Sequence, residues 1–278
     1  MQTTGDVDRD LFEALGFFLA KSLFSMEEVA ALRQHVRSLV GDPAMSEPDT
    51  YNPSSPDPLR RFPRLMQPHL HDEGSWDYVS DPRLESALLE LLGSTPSIVQ
   101  TMVYFKPPGA RGQALHQDNR FLQVDPGTCV AAWLALDATD RENGCLQVVP
   151  GSHRLDLLCP VPSDTTLSFV SETVPLPPGV DVVDVPMNAG DVLFFHGNLI
   201  HGSDKNNSSD RFRRIIVGHY AVAEAQKIAS WYKTITMDGE PIELEHVPGD
   251  GPCGIFVNQN GQELIEMSGT INAALAAH

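Results

Sequence analysis

The sequence predicts a mainly β protein in which short strands form a closed or double-sheet architecture behind a helical N-terminal part. Two observations carry this prediction. Strand-like segments bounded by turn residues follow one another after residue 97, and apolar residues recur at helical spacing before residue 93. The 278 residues are enough to bury a sizeable core. We therefore predict one domain over 1–278, with a helical part at 7–93, a β core at about 97–222 and a C-terminal tail at 223–278.

The N-terminal part combines helices with one long loop. Residues 7–40 are predicted to be helical, because apolar residues recur at helical spacing and Ser25 precedes two glutamates as an N-cap does. Residues 42–63 are rich in Pro, Ser and Asp, which predicts a loop that covers a site. A short helix is predicted over 81–92, where Gly93 closes it.

The β core consists of short apolar segments separated by turn residues. The predicted strands cover 98–105, the residues around His116, 128–136, 145–149, 182–185, 191–195 and 213–222. Residues 155–180 form a polar, proline-containing insertion, and the tail after 224 carries no motif that assigns it a place. Such short strands at close intervals are typical of closed or double-sheet β folds.

The charge balance narrows the class of partner. The chain has 19 Lys+Arg against 37 Asp+Glu, a formal charge of −18. This charge repels phosphate backbones and anionic membranes, so we expect no nucleic-acid and no membrane partner. The N-terminus is acidic where a secretory signal needs positive charge, and no apolar run is long enough to span a bilayer. We predict a cytoplasmic protein that acts on a small molecule, and the sequence leaves its oligomeric state open.

The cysteines give no sign of a metal or redox motif. The four residues are Cys129, Cys145, Cys159 and Cys253, and no two of them form a C-x-x-C pair. Neither a zinc knuckle nor a dithiol motif is indicated. We therefore expect free thiols in a reducing compartment.

One short motif offers ligands for a metal ion. His116 and Asp118 lie two residues apart, a spacing that puts both side chains on one face of a strand. The segment 190–203 supplies two candidates for a third ligand, His196 and His201. Two histidines and one carboxylate, with the other positions open, are typical of non-haem iron(II) oxygenases. Without a third ligand, the pair fits ordinary polar strand residues equally well.

Other histidines are weaker candidates. His69 and His71 form a second candidate pair, but ordinary polar residues are the simpler interpretation. His153 closes a turn, where a structural or substrate-side role suits it better than metal binding. His219 could face the site by strand parity, although a core histidine is the simpler interpretation.

A cation downstream fits the co-substrate that many such iron sites use. 2-Oxoglutarate chelates iron through its keto-acid end and leaves a second carboxylate, which the planar fork of an arginine binds well. If 210–220 is a strand, Arg211 and Arg213 share one face with Ile215, Val217 and His219. A cation on an apolar face is costly unless it is paired. Ser203 would lie on the same face as His201 and could add a hydroxyl. The alternative is a solvated basic cluster.

Taken in order and spacing, the motifs resemble the phytanoyl-CoA dioxygenase family of Fe(II)/2-oxoglutarate oxygenases. The similarity is weak over the helical part and strong over 98–220. The matching segments are Lys106–Gly109, His116–Asp118, Ala132–Trp133, Asn143–Leu146, Pro150–His153, Gly190–His196, Leu199–Ser203, Arg213 and His219–Tyr220.

The resemblance implies a fold, a metal site and a reaction. The implied fold is a double-stranded β-helix, or jelly roll, with N-terminal helices. The implied iron ligands and catalytic residues are His116, Asp118 and His201, which selects His201 over His196. The implied co-substrate residues are Arg213, Ser203, Trp133 and Met102. The cofactors would be Fe(II), 2-oxoglutarate and O₂, with ascorbate as a candidate reductant.

The implied function is a dioxygenase that hydroxylates or otherwise oxidises a small metabolite, with succinate and CO₂ as co-products. A carboxylate at Asp118 argues against halogenation, because related halogenases open a halide site by replacing it. Two alternatives are a non-redox metal-dependent enzyme of cupin type and a catalytically silent jelly roll that binds a ligand. The segments 42–80 and 155–180 and the tail after 224 are predicted to build the substrate pocket. No motif in them identifies the substrate.

Overall fold

The computed structural model describes residues 7–45, 50–176, 179–249, 251–259 and 262–267. Among these residues, helices α1 to α6 span Arg9–Leu15, Met26–Ser38, Pro58–Arg61, Glu73–Val79, Pro82–Leu92 and Asn119–Leu122, and 3₁₀ turns span Pro68–Leu70 and Ser152–Arg154. Strands β1 to β18 span Phe17–Ala20, Leu65–Met66, Ser97–Lys106, Gln113–His116, Cys129–Ala135, Leu146–Val148, Val161–Pro162, Glu172–Thr173, Val183–Val185, Val192–His196, His201–Ser203, Arg213–Ala221, Lys227–Ala229, Thr234–Ile235, Pro241–Ile242, Glu245–Val247, Gly254–Gln259 and Gln262–Met267.

Two antiparallel sheets form the β core. The large sheet has the order β1-β10-β5-β12-β3-β14-β15, with β2 also paired to β3, and the small sheet has the order β4-β11-β6-β9. Most neighbouring strands in both sheets are far apart in sequence, as in a jelly roll, while β14 pairs with the next strand, β15. The predicted double-stranded β-helix with N-terminal helices is therefore confirmed.

The large sheet is buried on both faces. On β3 and β12, Met102 and Val217 pack between the two sheets, whereas their neighbours Val103 and Ile216 pack on the opposite face under the helices. The alternation follows the two-residue period of a strand. The helices thus cover the outer face of the large sheet, and the inner face is left to line a site.

The helices begin and end at residues suited to those positions. At α2, the Ser25 side chain accepts from the Glu28 N–H, while the Glu28 carboxylate accepts from the Ser25 N–H, which is a capping box. Gly93 ends α5 in the left-handed conformation, as predicted.

The prediction of continuous helix over 7–40 was wrong at its centre. Gly16 ends α1 with φ 84°, and Phe17–Ala20 then forms strand β1 against β10. The sequence signal is ambiguous here because four consecutive apolar residues suit a helix or a strand, and pairing with β10 decides between them. The predicted loop 42–63 likewise contains the one-turn helix α3, and residues 46–49 of it lie outside the described part.

The expectation of free thiols was wrong for two of the four cysteines. Cys159 and Cys253 form a disulfide across 94 residues of sequence, while Cys129 and Cys145 are free and buried. The bond joins the insertion to the C-terminal hairpin β17–β18, beside the bridge between Leu158 and Gly254. A pairing so distant leaves no spacing pattern in the sequence. Because two of the four cysteines form a disulfide, the cysteines no longer indicate a reducing compartment.

Two predictions concern the whole chain. Within the described ranges, no helix combines the length and apolar character needed to cross a membrane. The prediction of one domain over 1–278 includes residues 1–6 and 268–278, which lie outside the described residues.

A buried histidine makes the stability of the fold depend on pH. His69 is 5% exposed, and its Nδ1 lies 2.6 Å from Thr101 Oγ1. Burial, with a smaller contribution from His71, lowers the pKa of His69 to about 4. The histidine of the unfolded chain takes up a proton near pH 6.5, whereas the buried ring stays neutral down to about pH 4. This group therefore leaves the free energy of unfolding unchanged above pH 6.5 and lowers it as the pH falls from 6.5 towards 4.

We predict that His69→Gln reduces the loss of unfolding free energy between pH 7 and pH 5 by about 1–2 kcal/mol. The measurement is urea unfolding at both pH values. His71→Gln, at an exposed position, is the control and should keep the wild-type loss. An unchanged loss in His69→Gln would show that this histidine does not titrate as proposed.

Candidate metal and co-substrate site

Two histidines of the site face each other across a strand pair. His116 is the last residue of β4, His201 is the first of β11, and the two are directly opposite in the antiparallel register. Their ring centroids lie 4.2 Å apart. The pairing of the small sheet therefore brings together two imidazoles that are 85 positions apart in the sequence.

Next to this pair, the register between β4 and β11 is irregular, and a serine follows two residues after His201. The register shifts between His201 and Ser203, so that Ser203 lies opposite Gln113. A Cβ at Gly202 would lie 2.8 Å from the Gln113 carbonyl oxygen, too close for any residue but glycine without a backbone shift. The same residues of β11 pair with β6 in a regular register, so His201 and Ser203, two positions apart, both lie on the inner side of the sheet.

The strand argument for the H-x-D motif was wrong, although the two side chains do meet. β4 ends at His116, and Asp118 has helical dihedrals (φ −61°, ψ −38°) as the N-cap of α6. The turn is held by the buried Gln117, whose amide donates to the Asn198 carbonyl at 2.9 Å and accepts from the Leu158 N–H at 2.8 Å. With Gln117 anchored there, the Asp118 carboxylate turns back towards His116.

The three candidate ligands converge. Asp118 Oδ1 lies 3.4 Å from His116 Nε2 and 3.6 Å from His201 Nε2. One donor atom from each of the three residues lies within 4.8 Å of the others. This is the only such cluster of histidine, cysteine, aspartate and glutamate side chains among the residues that the structure describes.

Backbone hydrogen bonds present the correct nitrogen of each histidine. Nδ1 of His116 donates to the Ala114 carbonyl at 2.9 Å, and Nδ1 of His201 donates to the Leu199 carbonyl at 3.0 Å. A carbonyl oxygen only accepts, so a proton lies on Nδ1 of each ring and Nε2 lies towards the cluster. Nε2 of His116 also lies 3.0 Å from the side-chain amide nitrogen of Gln113. Burial lowers the pKa of His201 to about 4, so its ring is neutral at neutral pH. Such rings fit a metal ion.

A further histidine orients the carboxylate. Nε2 of His219, on β12, donates to Asp118 Oδ2 at 3.0 Å and leaves Oδ1 towards the two other ligands. Burial opposes the ionised form of Asp118, but His201, His219 and the hydrogen bonds that Asp118 accepts outweigh it and hold its pKa well below the usual range. The carboxylate is therefore ionised, as a metal ligand must be.

The remaining histidines lie elsewhere. His196 ends β10 with its ring 5.3 Å from that of His153, and its Nδ1 accepts from the Asn198 N–H. His69 packs against Thr101, and His71 is exposed. The structure therefore groups His201, and not His196, with the H-x-D motif.

The candidate metal ligands line a cavity, which we call the inner cavity, and a second cluster of polar groups lies in its wall. The wall includes His116, Asp118, His201, Ser203, Arg213, Lys106, Trp133, Met102 and Val217. Arg213 is 4% exposed, and its guanidinium donates to the Gly144 carbonyl at 3.1 Å and to Ser203 Oγ at 3.2 Å. Burial lowers the pKa of Arg213 to about 10, which still leaves it charged.

Lys106 adds a second buried amino group beside Arg213. Its Nζ donates to Ser203 Oγ at 2.8 Å, to the Asp204 carbonyl at 2.6 Å and to the Gly144 carbonyl at 3.3 Å. Burial and the neighbouring Arg213 lower the pKa of Lys106 well below its usual range. In the part of the chain described, neither side chain forms an ion pair with a carboxylate, so this end of the cavity favours an anion.

The hydrogen bonds of Ser203 fix the direction of its proton. Lys106 and Arg213 are donors only, so the Ser203 oxygen accepts from both. Its own proton has no acceptor within the described residues. A carboxylate at this end of the cavity would therefore receive donors from the remaining N–H groups of Arg213 and from Ser203, while the three donors of Lys106 are already used.

The two apolar candidates lie in the cavity wall. The ring of Trp133 lies 5.3 Å from the Arg213 guanidinium carbon, a cation–π distance. Met102 is 9% exposed, and its sulfur accepts from the Tyr104 hydroxyl at 3.4 Å. Both border the inner cavity.

The other arginines of the predicted basic cluster face outwards. Arg211 lies before β12, outside the strand in which it was expected, and pairs with Asp140 and Glu142. Arg214 pairs with Asp137. The strand face predicted to carry Arg211 and Arg213 therefore begins at Arg213. Of the three arginines, only Arg213 lines the inner cavity.

The sequence alone did not identify all of these residues. Lys106 and Gln117 lie in segments that match the family, but the sequence assigns neither of them a role at the site. His219 was interpreted as a core residue, although its two-residue steps from Arg213 already placed it on the cavity face. No local signal marks Lys106, since the loops around Gly144 and Asp204 bury it.

The donor set and the anion-binding end fit iron(II) and 2-oxoglutarate. One ionised carboxylate and two neutral imidazoles suit a divalent first-row metal. The buried guanidinium of Arg213 and the Ser203 proton suit the second carboxylate of a keto diacid. Both sets of groups border one cavity, as a co-substrate that bridges them requires.

Comparison with known sequences gives the same family as the motifs. The sequence profile described as phytanoyl-CoA dioxygenase (PhyH) matches residues 12–215. A phytanoyl-CoA dioxygenase of Arabidopsis thaliana is 29% identical over 235 residues, covering 72% of this chain and 83% of that protein. The peroxisomal phytanoyl-CoA dioxygenase of Rattus norvegicus is 29% identical over 246 residues, covering 80% and 69%.

Solved structures share the fold. The epimerase SnoN, in complex with Fe³⁺, alpha ketoglutarate and nogalamycin RO, has a TM-score of 0.62 at 19% identity, covering 93% of this chain and 96% of its own. EctD from S. alaskensis, in its apoform, has a TM-score of 0.60 at 24% identity, covering 77% and 75%.

We predict that His201→Ala weakens iron(II) binding at least about 100-fold, because it removes a ligand rather than a supporting hydrogen bond. His196→Ala, the matched control, should retain one iron per chain. Both are measured by anaerobic titration and metal analysis of the folded proteins. Loss of iron by His196→Ala, with one iron per chain retained by His201→Ala, would mean that His196 is the ligand.

Proposed function

The chain belongs to the phytanoyl-CoA dioxygenase family, and from this premise we propose that it hydroxylates a small organic molecule with iron(II) held by His116, Asp118 and His201. The enzyme is a non-haem, 2-oxoglutarate-dependent dioxygenase. Arg213 and Ser203 bind the distal carboxylate of 2-oxoglutarate, and Trp133 and Met102 form the wall beside it.

One observation carries the proposal for the residues: the ligand cluster and the buried guanidinium of Arg213 share the inner cavity. A non-redox metal enzyme needs the ligands but has no use for the buried guanidinium of Arg213, which has no ionic partner among the described residues. A silent binding protein needs neither. A dianion bound to the metal at one end and to Arg213 at the other satisfies both sets of groups.

When bound, iron(II) and 2-oxoglutarate with O₂ supply the oxidising chemistry, in which the co-substrate becomes succinate and CO₂ and one oxygen atom enters the substrate. The residues of this chain contribute position and charge. His219 holds the Asp118 carboxylate in one orientation, and the carbonyls of Ala114 and Leu199 hold the two imidazoles. Preformed ligands of this kind need no rearrangement on binding.

Other residues of the cavity determine the chemical outcome. Asp118 fills the position that a halide would need, which favours hydroxylation over halogenation. Leu146, Phe195 and Val217 are buried and line the inner cavity. These apolar side chains limit the access of water to the reacting centre.

We predict that Arg213→Met raises the dissociation constant of 2-oxoglutarate by a factor of roughly 30 to several thousand, since a buried carboxylate loses its charged partner at about 2–5 kcal/mol. The measurement is calorimetric titration of the zinc-loaded protein, with a thermal melt to verify folding. Arg214→Met, on the same strand but paired with Asp137 on the other face, is the control and should change the constant less than about threefold.

The reaction is tested directly with iron(II), ascorbate, 2-oxoglutarate and ¹⁸O₂ in the presence of candidate metabolites. We expect succinate release that depends on the metabolite and a product that has gained one ¹⁸O atom. A product changed in configuration or by loss of two hydrogens would keep the oxygenase family and refute hydroxylation. Retention of zinc without any 2-oxoglutarate turnover would refute the redox assignment as well.

A further inference from the structure

A disulfide fastens the C-terminal hairpin β17–β18 to the insertion. Cys253 directly precedes β17, and Cys159 lies near the start of the insertion. Beside the bond, the Cys159 N–H donates to the Gly254 carbonyl at 2.8 Å. Among the described residues, the hairpin forms a sheet of its own, and one isolated bridge, between Leu158 and Gly254, pairs it with another segment. An isolated two-stranded hairpin is marginally stable in water, so the disulfide and the contacts beside it hold this one in place.

The same segment of the insertion anchors the H-x-D motif. Leu158, the residue before Cys159, donates its N–H to Gln117 Oε1 at 2.8 Å. Gln117 is fully buried and lies between the proposed ligands His116 and Asp118. The disulfide is therefore one residue away from the hydrogen bond that holds the turn between these two ligands.

The hairpin also packs against an apolar cluster beside the third ligand. Phe256 and Ile265 of the hairpin are partly buried against this cluster, whose buried members are Val149, Leu158, Val174 and Ile200. Ile200 is 0% exposed and directly precedes His201. Packing of the hairpin thus supports the segments that flank all three proposed ligands.

Reagents in solution can reach the disulfide but not the free thiols. Cys159 and Cys253 are both partly exposed, whereas Cys129 and Cys145 are 0% and 1% exposed. The covalent link keeps the hairpin at a high effective concentration beside the insertion. When the link is broken, the non-covalent contacts alone have to hold the hairpin.

Building on the proposed function, we propose that the disulfide between Cys159 and Cys253 is a redox control of the metal site. With the bond formed, the hairpin keeps Leu158 against Gln117 and the three ligands stay in position. A dithiol reduces the bond: it gives up two electrons and two protons, each cysteine sulfur takes one of each, and the dithiol closes to a disulfide. The released hairpin exposes Leu158 to water, the turn at Gln117 loosens, and the affinity for the divalent metal falls.

The test compares zinc binding by the full chain in its two redox states. One sample stays oxidised; the other is reduced with a dithiol, alkylated with iodoacetamide and freed of reagents, so that neither thiols nor reductant bind zinc. Mass spectrometry should find Cys159 and Cys253 alkylated only after reduction. The reduced form should bind zinc at least about tenfold more weakly, the loss typical of groups that support metal ligands.

Two variants separate the effect of the bond from that of alkylation and from general damage. Cys159→Ser with Cys253→Ser should bind zinc as weakly as reduced wild type, and a dithiol should not weaken it further. Gln117→Met removes the acceptor of the Leu158 N–H; it should bind weakly when oxidised and respond to reduction less than about threefold, because the main route from the bond to the ligands is gone. A bond that only stabilises the fold would lower the melting temperature and leave the zinc affinity of the folded protein unchanged.

Hydrogen exchange of the metal-free protein gives a readout independent of metal. Reduction should speed exchange of the Cys159 and Gly254 amides at least about tenfold. It should also speed exchange of Asn119, whose N–H donates to the Gly197 carbonyl beside the ligand turn, while β5 keeps its rate. Equal zinc affinity in both redox states overturns the proposal, and so does alkylation of Cys159 and Cys253 without prior reduction. Absence of zinc binding in both states would refute the proposed function instead, and exchange at Asn119 would then decide this inference.

Discussion

The site depends on one strand register, the pairing of β4 with β11. His201 lies opposite His116, and the shift at Gly202 brings Ser203 opposite Gln113. Because side chains alternate along a strand, a slip of one residue would turn His201 and Ser203 away from the cavity together. The metal ligand and the hydroxyl that faces the co-substrate are thus set by the same hydrogen bonds. A change in this short strand pair would therefore affect both ends of the inner cavity.

The inner cavity holds opposite charges at its two ends, a carboxylate among the histidines and a guanidinium beside Ser203. Asp118 is ionised among three histidines, and Arg213 and Lys106 are buried beside each other without a carboxylate partner in the described part of the chain. Isolated buried charges destabilise a fold unless carbonyls and hydroxyls solvate them, as those of Gly144, Asp204 and Ser203 do here. Binding of a divalent metal and a dianion would supply the missing opposite charges.

The sequence predicted the jelly roll, the N-terminal helices and the three clustered ligands, for different reasons and with different success. Alternation correctly placed Arg213, Val217 and His219 on one face, because period two is local. For Asp118 the prediction of proximity was right, but the strand argument was wrong, since the buried Gln117 turns the chain. His201 was preferred to His196 only through resemblance. Lys106 and the disulfide between Cys159 and Cys253 depend on contacts between distant segments, which leave no periodic signal.

The wall of the inner cavity has two origins, and this limits what family membership can say. Most of the wall comes from strands β3, β4, β5, β6, β10, β11 and β12, whose register the jelly roll fixes. Leu59 on α3, Arg111 and Phe169 in the insertion border the same cavity from outside the sheets. Loops of this kind vary without altering the sheets that carry the chemistry. Membership therefore accounts for iron, 2-oxoglutarate and O₂, while the choice of substrate depends on the side chains that these loops contribute.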